Sequence, residues 1–449
     1  MHRKQQFFRI LCALGRVTTV TLVVGMFVTP AFAQNPVPPT AQPIVSTPSL
    51  PCPGPPTPTK AVIDWAQFLF DPCHTGFNPY EFVLSPATVV NLGLHWKYTT
   101  GNYVFSPPAV TNRVVYVGSA NNNLYALNAG TGALLWKYTT GGDVFFSPAV
   151  ANGVVYIGSD DYNLYALNAR TGALLWKYTT GSTVRSSPAV ANGVVYVGGI
   201  DHNLYALNAV TGALLWKYTT GGYVESSPAV AGGVVYFASW DNNVYALNAV
   251  TGAPLWRYTT AEGFGSSPAV ANGKVYIGGF DNNVYALNAG TGALLWKYTT
   301  GSYIYSDPAV ANGVVYVGSY DNNVYALNAD TGALVWKYAT GGFVGSSPAV
   351  ANGVVYVGSG DGNVYALNAR SGALLWKYTT TFVVLSSPVV ANGVLYVGSS
   401  DSKVYALNAD TGALLWQYGT GNEIESSLAV ANGFVYVGSA DHKVYAFGL

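Results

Sequence analysis

The strongest constraint on this chain is a repeat of forty residues that begins near residue 92. Trp recurs at every fortieth position from Trp96 to Trp416, and Tyr recurs with the same step from Tyr125 to Tyr445. A fixed period of this length is typical of solenoids, propellers and arrays, in which each unit buries its apolar face only against its neighbours. The 449 residues therefore do not divide into the three domains that length alone suggests.

Each unit has the pattern of four short strands, which we name A to D. In the unit that begins at residue 188, the predicted strands are 188–191, 194–198, 204–208 and 213–219. The Asn192-Gly193 pair between A and B is a strong hairpin signal, because both turn positions need positive φ. No window shows a sustained helical period. Four antiparallel strands in about forty residues describe one blade of a β-propeller.

The two ends of the repeat complement each other. There are nine A, nine B and nine C strands, but the chain stops at Leu449, just after the ninth C strand. A spare D-type segment, 92–99, precedes the first A strand. We therefore predict an all-β fold, a single closed propeller of nine four-stranded antiparallel blades in which the N-terminal strand completes the last blade. Eight blades are the alternative, and an open solenoid fits the matched ends less well.

The segment between strands C and D resembles the tryptophan-docking motif of the PQQ-like (quinoprotein-type) β-propeller repeat family. In the copy at 126–136 the family's Asp is replaced by Asn128, and Asn168 and Asn208 stand at the same place in the next copies. The segment from Trp65 to Glu81 also resembles the lead-in of exported members. The likeness covers roughly residues 64–449. It implies that one tryptophan per unit packs between blades, at Trp96, Trp136, Trp176, Trp216, Trp256, Trp296, Trp336, Trp376 and Trp416.

The N-terminal residues indicate export. Residues 1–33 carry a basic start, an apolar run and the small-x-small pattern of Ala31-Phe32-Ala33, which predicts a cleaved signal peptide. An uncleaved anchor is the alternative. Residues 34–60 hold ten prolines and form a predicted spacer, 61–91 form the lead-in, and 92–449 form the propeller. We expect a periplasmic, secreted or cell-surface protein, in which Cys52 and Cys73 either pair or remain free thiols.

Composition excludes two function classes. Half of the residues are hydrophobic and only 9% are charged, which is incompatible with intrinsic disorder. Lys and Arg do not exceed Asp and Glu, so nucleic acid is not an expected partner. Beyond residue 33 no apolar run is long enough to span a bilayer. We expect a monomer whose partner is a protein or a cell-surface polysaccharide.

The sequence favours a protein without catalytic activity. The resemblance implies that dehydrogenases of the family hold pyrroloquinoline quinone with calcium bound by Glu, Asn and Asp, a catalytic Asp, an Arg, and often adjacent cysteines. This chain has no adjacent cysteines, and eight of its twenty acids are the turn Asp that recurs from Asp161 to Asp441, which we expect to accept backbone N–H bonds. His74, His95, His202 and His442 lack metal-ligand spacing. We predict no catalytic residue, metal or cofactor, and keep a quinone- and calcium-dependent dehydrogenase as the alternative.

The units differ from one another mainly in two places, before strand A and in the B–C turn. Both connections lie at the same end of an antiparallel blade, so the differing side chains should gather on one face. Aromatic side chains clustered on a surface mark binding sites, although drift after recent duplication is an alternative origin. The predicted partner-binding residues are Trp240, Phe280, Tyr320, Tyr223, Glu225, Tyr303, Tyr305, Phe343 and Arg185. A scaffold role, as in the family's outer-membrane assembly lipoprotein, is only an analogy because no lipoprotein cysteine is present.

Overall fold

A computed structural model describes residues 74–449 of the chain. The predicted signal peptide, the proline-rich spacer, the first part of the lead-in and both Cys52 and Cys73 lie outside the described residues. Nine sheets form, each with four strands in the order A-B-C-D, and the eighth gains a fifth strand beside its A strand. The described part of the chain contains no α-helix; one short 3-10 turn spans Val89–Asn91.

The strands recur with the forty-residue period. The A strands are Ala109–Thr111, Ala149–Ala151, Ala189–Ala191, Ala229–Ala231, Ala269–Ala271, Ala309–Ala311, Ala349–Ala351, Val389–Ala391 and Ala429–Ala431. The B strands are Val114–Ser119, Val154–Gly158, Val194–Gly198, Val234–Ala238, Lys274–Gly278, Val314–Gly318, Val354–Gly358, Val394–Ser399 and Phe434–Ser439. The C strands are Asn123–Asn128, Asn163–Asn168, Asn203–Asn208, Asn243–Asn248, Asn283–Asn288, Asn323–Asn328, Asn363–Asn368, Lys403–Asn408 and Lys443–Gly448. The D strands are Leu134–Thr139, Leu174–Thr179, Leu214–Thr219, Pro254–Thr259, Leu294–Thr299, Leu334–Ala339, Leu374–Thr379 and Leu414–Gly419, and Gly93–Thr99 supplies the ninth.

The turns between strands follow the local sequence. Asn192 and Gly193 both have positive φ, 50° and 76°, which matches the twist of the A–B hairpin. Between C and D, the side-chain oxygen of Asn128 accepts the N–H groups of Gly130 and Thr131, both at 3.0 Å. Asn therefore performs here the turn-closing role that a carboxylate performs in an Asx-turn.

The ring closes with strands from both ends of the chain. Gly93–Thr99 pairs antiparallel with Lys443–Gly448 and becomes the outer strand of blade 9. The A strands of blades 9 and 1 lie against each other, as do those of the other neighbouring blades. The prediction of nine blades with N-terminal closure is confirmed, and the eight-blade alternative is wrong. The outer edge of the last C strand is thereby paired.

At eight of the nine junctions between blades, one tryptophan joins a blade to the next. Trp136 of blade 1 donates from Nε1 to the carbonyl oxygen of Ala169 in blade 2 at 2.9 Å. A Cβ at Gly172 would lie 2.6 Å from the Trp136 ring, so only glycine admits the indole at this turn. Tyr116 of blade 1 donates to the same carbonyl at 3.0 Å. The same bond from Trp96 to the Ala129 carbonyl, at 2.9 Å, links blade 9 to blade 1.

Trp416 differs from the other eight tryptophans. Each of the other tryptophans docks against the C–D turn of the next blade, which for Trp416 would be blade 9. Strands C and D of blade 9 come from opposite ends of the chain, so no C–D turn joins them. The Ala carbonyl and the Gly that hold the other indoles are therefore missing. Trp416 is only half-buried, and its ring lies 4.7 Å from that of Phe447. The expectation that all nine tryptophans dock in the same way needs this correction.

The described part of the lead-in runs along the inside of the ring. Phe77–Asn78 pairs parallel with the A strand of blade 8 as a fifth strand. Because A strands run from the D–A connections toward the A–B turns, this segment runs in the same direction. Glu81 is fully buried, and its carboxylate accepts the N–H of Gly433 in the A–B turn of blade 9 at 2.9 Å. The lead-in thus fastens blades 8 and 9, the two blades next to the closure.

Candidate functional site

The D–A connections and the B–C turns meet at one end of the ring, which we call the D–A/B–C face. The backbone N–H of Trp240, in a B–C turn, donates to the carbonyl of Tyr223, in the D–A connection that enters the same blade, at 2.9 Å. The same bond joins Tyr320 to Tyr303 at 3.1 Å. The positions at which the units differ therefore lie side by side, and the opposite end holds the exposed C–D turn tips.

The turn aspartates of this face have a structural role. In blade 2, Asp161 accepts hydrogen bonds from the Tyr165 hydroxyl at 2.6 Å, the Gly141 N–H at 2.5 Å and the Asn163 N–H at 3.0 Å. Burial disfavours the charged carboxylate, but these donors outweigh it and lower the pKa of Asp161. The pKa is lowered in the same way at Asp241, Asp321, Asp361 and Asp441. These carboxylates are thus both negatively charged and occupied in closing turns.

The predicted aromatic residues form one continuous contact series, which we call the aromatic arc. It consists of Tyr223, Trp240, Phe280, Tyr303, Tyr305, Tyr320 and Phe343. The Trp240 and Phe280 ring centroids are 5.5 Å apart, and the Phe280 and Tyr305 centroids are 5.1 Å apart. Tyr305 lies 5.3 Å from Tyr320, which stacks on Phe343 at 4.8 Å. The arc crosses blades 4 to 7 without a break.

Three glycines make room for these rings. A Cβ at Gly265 would lie 2.6 Å from the Phe280 ring, and one at Gly360 would lie 2.5 Å from the Phe343 ring. A Cβ at Gly345 would lie 3.3 Å from the hydroxyl of Tyr320. Gly265 and Gly345 precede A strands and Gly360 lies in a B–C turn, the two places where the units differ, but no role was predicted for them. The signal was available, because each glycine occupies a position at which other units carry large or charged side chains.

A charged group lies beside the arc. Arg185 forms a two-point ion pair with Asp160, with Nε–Oδ1 at 3.1 Å and Nη2–Oδ2 at 2.9 Å. None of the hydrogen bonds or ion pairs within residues 74–449 involves Glu225, which is half-buried on the next D–A connection. Burial raises the pKa of Glu225 to about 8; the charge of Arg185 opposes this shift and that of Asp160 adds to it. Burial and the nearby Asp160 also raise the pKa of Asp143.

Further aromatic residues extend the face in both directions. The His202 ring lies 5.3 Å from Tyr223 at one end of the arc. On the other side of the ring, Tyr103 contacts both Phe105 and His442, with centroids 5.4 and 5.2 Å apart. Sequence reasoning treated the two histidines only as candidate metal ligands. In the structure they pack edge-on against tyrosines, a role that their isolated positions in the sequence do not reveal.

Charge is distributed unevenly over the ring. Of the eighteen Asp and Glu residues in 74–449, fifteen lie in D–A connections and B–C turns. Of the fifteen Lys and Arg residues, only Arg185 lies in these connections, while Lys403 and Lys443 begin C strands. Most other basic side chains belong to the outer D strands. The D–A/B–C face is therefore acidic, although the protein as a whole is nearly neutral.

These residues do not suit the quinone that the resemblance implies. Pyrroloquinoline quinone is a tricarboxylate, and it needs cationic or hydrogen-bonding groups to balance its charge. The one guanidinium in the D–A connections, that of Arg185, is already paired with Asp160, and the surrounding face is acidic. Within the described residues, no group of three or more His, Cys, Asp or Glu side chains is arranged to hold a metal ion.

Comparison with known proteins supports the fold. The family model described as "Outer membrane protein assembly factor BamB" matches residues 93–189 and 181–263. The model "Beta-alanine-activating enzyme, beta-propeller" matches residues 251–449. No curated protein matches the chain. Within the described residues, no helix has the length and hydropathy needed to cross a bilayer.

Solved structures give the same picture. BamB from Moraxella catarrhalis is 23% identical, with a TM-score of 0.57, and the alignment covers 67% of this chain and 96% of that one. A europium-containing methanol dehydrogenase is 18% identical, with a TM-score of 0.63 and coverage of 86% and 98%. Quinohemoprotein alcohol dehydrogenase from Comamonas testosteroni is 17% identical, with a TM-score of 0.63 and coverage of 86% and 80%. At these low identities the likeness shows that the chain shares the β-propeller fold of BamB and these dehydrogenases.

Proposed function

We propose that this protein is an exported, non-catalytic propeller that binds a partner through the D–A/B–C face. The observation that carries the proposal is the aromatic arc, which crosses four neighbouring blades on the face where most differences between the units lie. Neutral drift would scatter large side chains, whereas here glycines at 265, 345 and 360 accommodate the rings of neighbouring positions. Aromatic residues of this kind supply much of the binding energy at protein interfaces.

The fold allows a binding role without further chemistry. A closed ring positions the nine D–A connections and B–C turns rigidly, and rigid presentation lowers the entropy lost on binding. Half-buried rings such as Trp240 and Phe280 already pack against each other, so their rotamers are restricted before a partner arrives. Export and a scaffold role like that of BamB, which its family description calls an assembly factor, are parts of this proposal.

The direct test is recovery of partners from the native cell envelope with the mature protein as bait. A triple variant, Trp240→Ala, Phe280→Ala and Tyr320→Ala, should lose the bound partner at least tenfold. The matched control replaces the exposed C–D turn side chains of Arg170, Val210 and Val250 by Ala, on the opposite face, and should bind normally. Equal partner recovery by both variants would count against the arc as the binding surface.

A dehydrogenase is the alternative function, since its fold is shared by enzymes of that kind. Titration of the purified protein with pyrroloquinoline quinone and calcium separates the two functions. The scaffold proposal expects no saturable quinone binding and no alcohol oxidation with an artificial dye acceptor. Saturable binding together with alcohol-dependent dye reduction would replace the scaffold by an enzyme.

A further inference from the structure

We propose that the D–A/B–C face recognises a cationic group, the Lys or Arg side chain of a basic protein segment, which docks against the aromatic arc beside Glu225. This inference rests on the proposed function, because it names the chemistry that the same face selects. Three independent features lead to it: the charge distribution of the ring, the lack of a partner for Glu225 and the position of the rings around that carboxylate.

The first feature is the segregation of charge. Fifteen of eighteen carboxylates in residues 74–449 lie in the connections of this face, against one arginine. Such a field accelerates the approach of positively charged partners and repels anionic ones. It excludes acidic polysaccharides and acidic protein segments as favoured ligands. The carboxylates of the turn aspartates contribute because their lowered pKa keeps them ionised at neutral pH.

The second feature is Glu225. The guanidinium of Arg185 is the cation whose charge acts on Glu225, but both of its contacting nitrogens bind Asp160. No hydrogen bond or ion pair within residues 74–449 satisfies the Glu225 carboxylate, and partial burial makes an unpaired carboxylate costly. A cationic side chain that reached this point would supply the missing donor. The pKa of Glu225, raised to about 8 by burial, agrees with a carboxylate that lacks a counter-ion in the free protein.

The third feature is the ring environment. Tyr223 lies two residues before Glu225 on the same connection and contacts Trp240, with centroids 6.1 Å apart. Tyr305, whose own ring is buried, is close enough for the Glu225 charge to raise the pKa of its phenol. Ammonium and guanidinium groups bind to the faces of such rings. A neutral sugar could also stack on them, but it would leave the Glu225 carboxylate without a counter-ion.

The test measures binding of a synthetic octalysine peptide to the mature protein by calorimetry at pH 9, above the pKa of about 8 at which Glu225 ionises, with octaglutamate and the neutral polysaccharide dextran as comparison probes. We expect octalysine to bind, with an affinity that falls as salt is raised. Glu225→Gln, which keeps the shape of the side chain, should weaken binding about tenfold. The matched control is Glu262→Gln, which removes one exposed charge from the same face and should change the affinity less than twofold.

Several results would overturn the inference. These are absence of octalysine binding, equal weakening by Glu225→Gln and Glu262→Gln, or stronger binding of octaglutamate. Dextran binding that depends on Trp240 but not on Glu225 would assign the arc to a polysaccharide. The proposed function is tested separately. If envelope partners are lost in the aromatic triple variant but retained by Glu225→Gln, the D–A/B–C face binds a partner, and only the proposal of a cationic ligand is refuted.

Discussion

At the scale of single residues, the indole nitrogen of one tryptophan per unit holds adjacent blades together. Trp136 illustrates the arrangement, with its Nε1–H on the Ala169 carbonyl and its ring packed against the bare Cα of Gly172. Trp416 has the same sequence context but neither partner. The two residues therefore form a natural comparison between a docked and an undocked tryptophan.

We predict that Trp136→Ala destabilises the protein by about 3–5 kcal/mol, because it removes a buried ring and its hydrogen bond. Trp416→Ala should cost about 1–2 kcal/mol, since that ring is half-buried and lacks the carbonyl acceptor. Urea unfolding followed by circular dichroism measures both. Equal losses would show that the missing C–D turn of blade 9 has no energetic consequence.

Glu225 should make stability depend on pH. The pKa of Glu225 is 4.5 in the unfolded chain and about 8 in the folded protein. Burial is the main cause of this rise; the charge of Arg185 opposes it, and the charge of Asp160 adds to it. Between these values the folded state holds a proton that the unfolded state releases, so stability falls as pH rises from about 4.5 to about 8. Tyr305 also faces this carboxylate, but the pKa of its phenol, about 12, lies above the window.

We therefore expect Glu225→Gln to raise the melting temperature at pH 9 by roughly 2–4 °C, with the difference vanishing toward pH 4.5. Scanning calorimetry at several pH values measures this, and Glu262→Gln serves as the control with no such trend. A melting temperature of Glu225→Gln that stays below that of the parent at pH 9 would contradict the assigned environment of Glu225.

At the scale of secondary-structure elements, the A–B turns show how strictly the hairpin selects its residues. Eight of the nine turns place Gly at the second position, but blade 1 has Arg113 there, with φ of 62°. A non-glycine residue in this region is strained by about 1 kcal/mol. We predict that Arg113→Gly stabilises the protein by about 1 kcal/mol in urea unfolding and that Gly193→Arg destabilises it by a similar amount. Changes of the same sign in both variants would be inconsistent with this turn geometry.

The elements also show where sequence reasoning stops. Strands, turns and closure follow from the forty-residue period, because each unit repeats the same local signals. Phe77–Asn78 was not predicted as a strand, since two residues outside the repeat carry no periodicity. The aromatic set was found by comparing units, but the isolation of Glu225 was not. Glu225 lacks a counter-ion because Arg185 pairs with Asp160 instead. These side chains belong to different blades, and spacing along the chain does not predict which pair forms.

At the scale of the whole molecule, the ring depends on one strand from the N-terminal side. A chain of residues 101–449 lacks Gly93–Thr99 and leaves the edge of Lys443–Gly448 unpaired, so we expect it to self-associate. Adding the C–D turn sequence 130–133 and then residues 94–100 after Leu449 should restore a monomer. Light scattering coupled to size exclusion distinguishes the two chains. A monomeric, stable 101–449 chain would contradict closure by the N-terminal strand.

The ring also places two different surfaces at its two ends. The D–A/B–C face is acidic and carries the aromatic arc, whereas the opposite end presents exposed C–D turn tips such as Val210, which is 78% exposed. A partner that is recognised by charge and by aromatic contacts should engage only the first end. We therefore expect a partner to bind at the D–A/B–C face and not at the C–D turns.

Hydrogen exchange of the mature protein, with and without the partner recovered from the envelope, distinguishes binding at the two ends of the ring. We predict slower exchange in the connections around Tyr223–Trp240 and Tyr303–Tyr320, with no change at the C–D turns near Arg170, Val210 and Val250. Protection confined to the C–D turns, with the aromatic arc exchanging as in the free protein, would contradict binding at the D–A/B–C face.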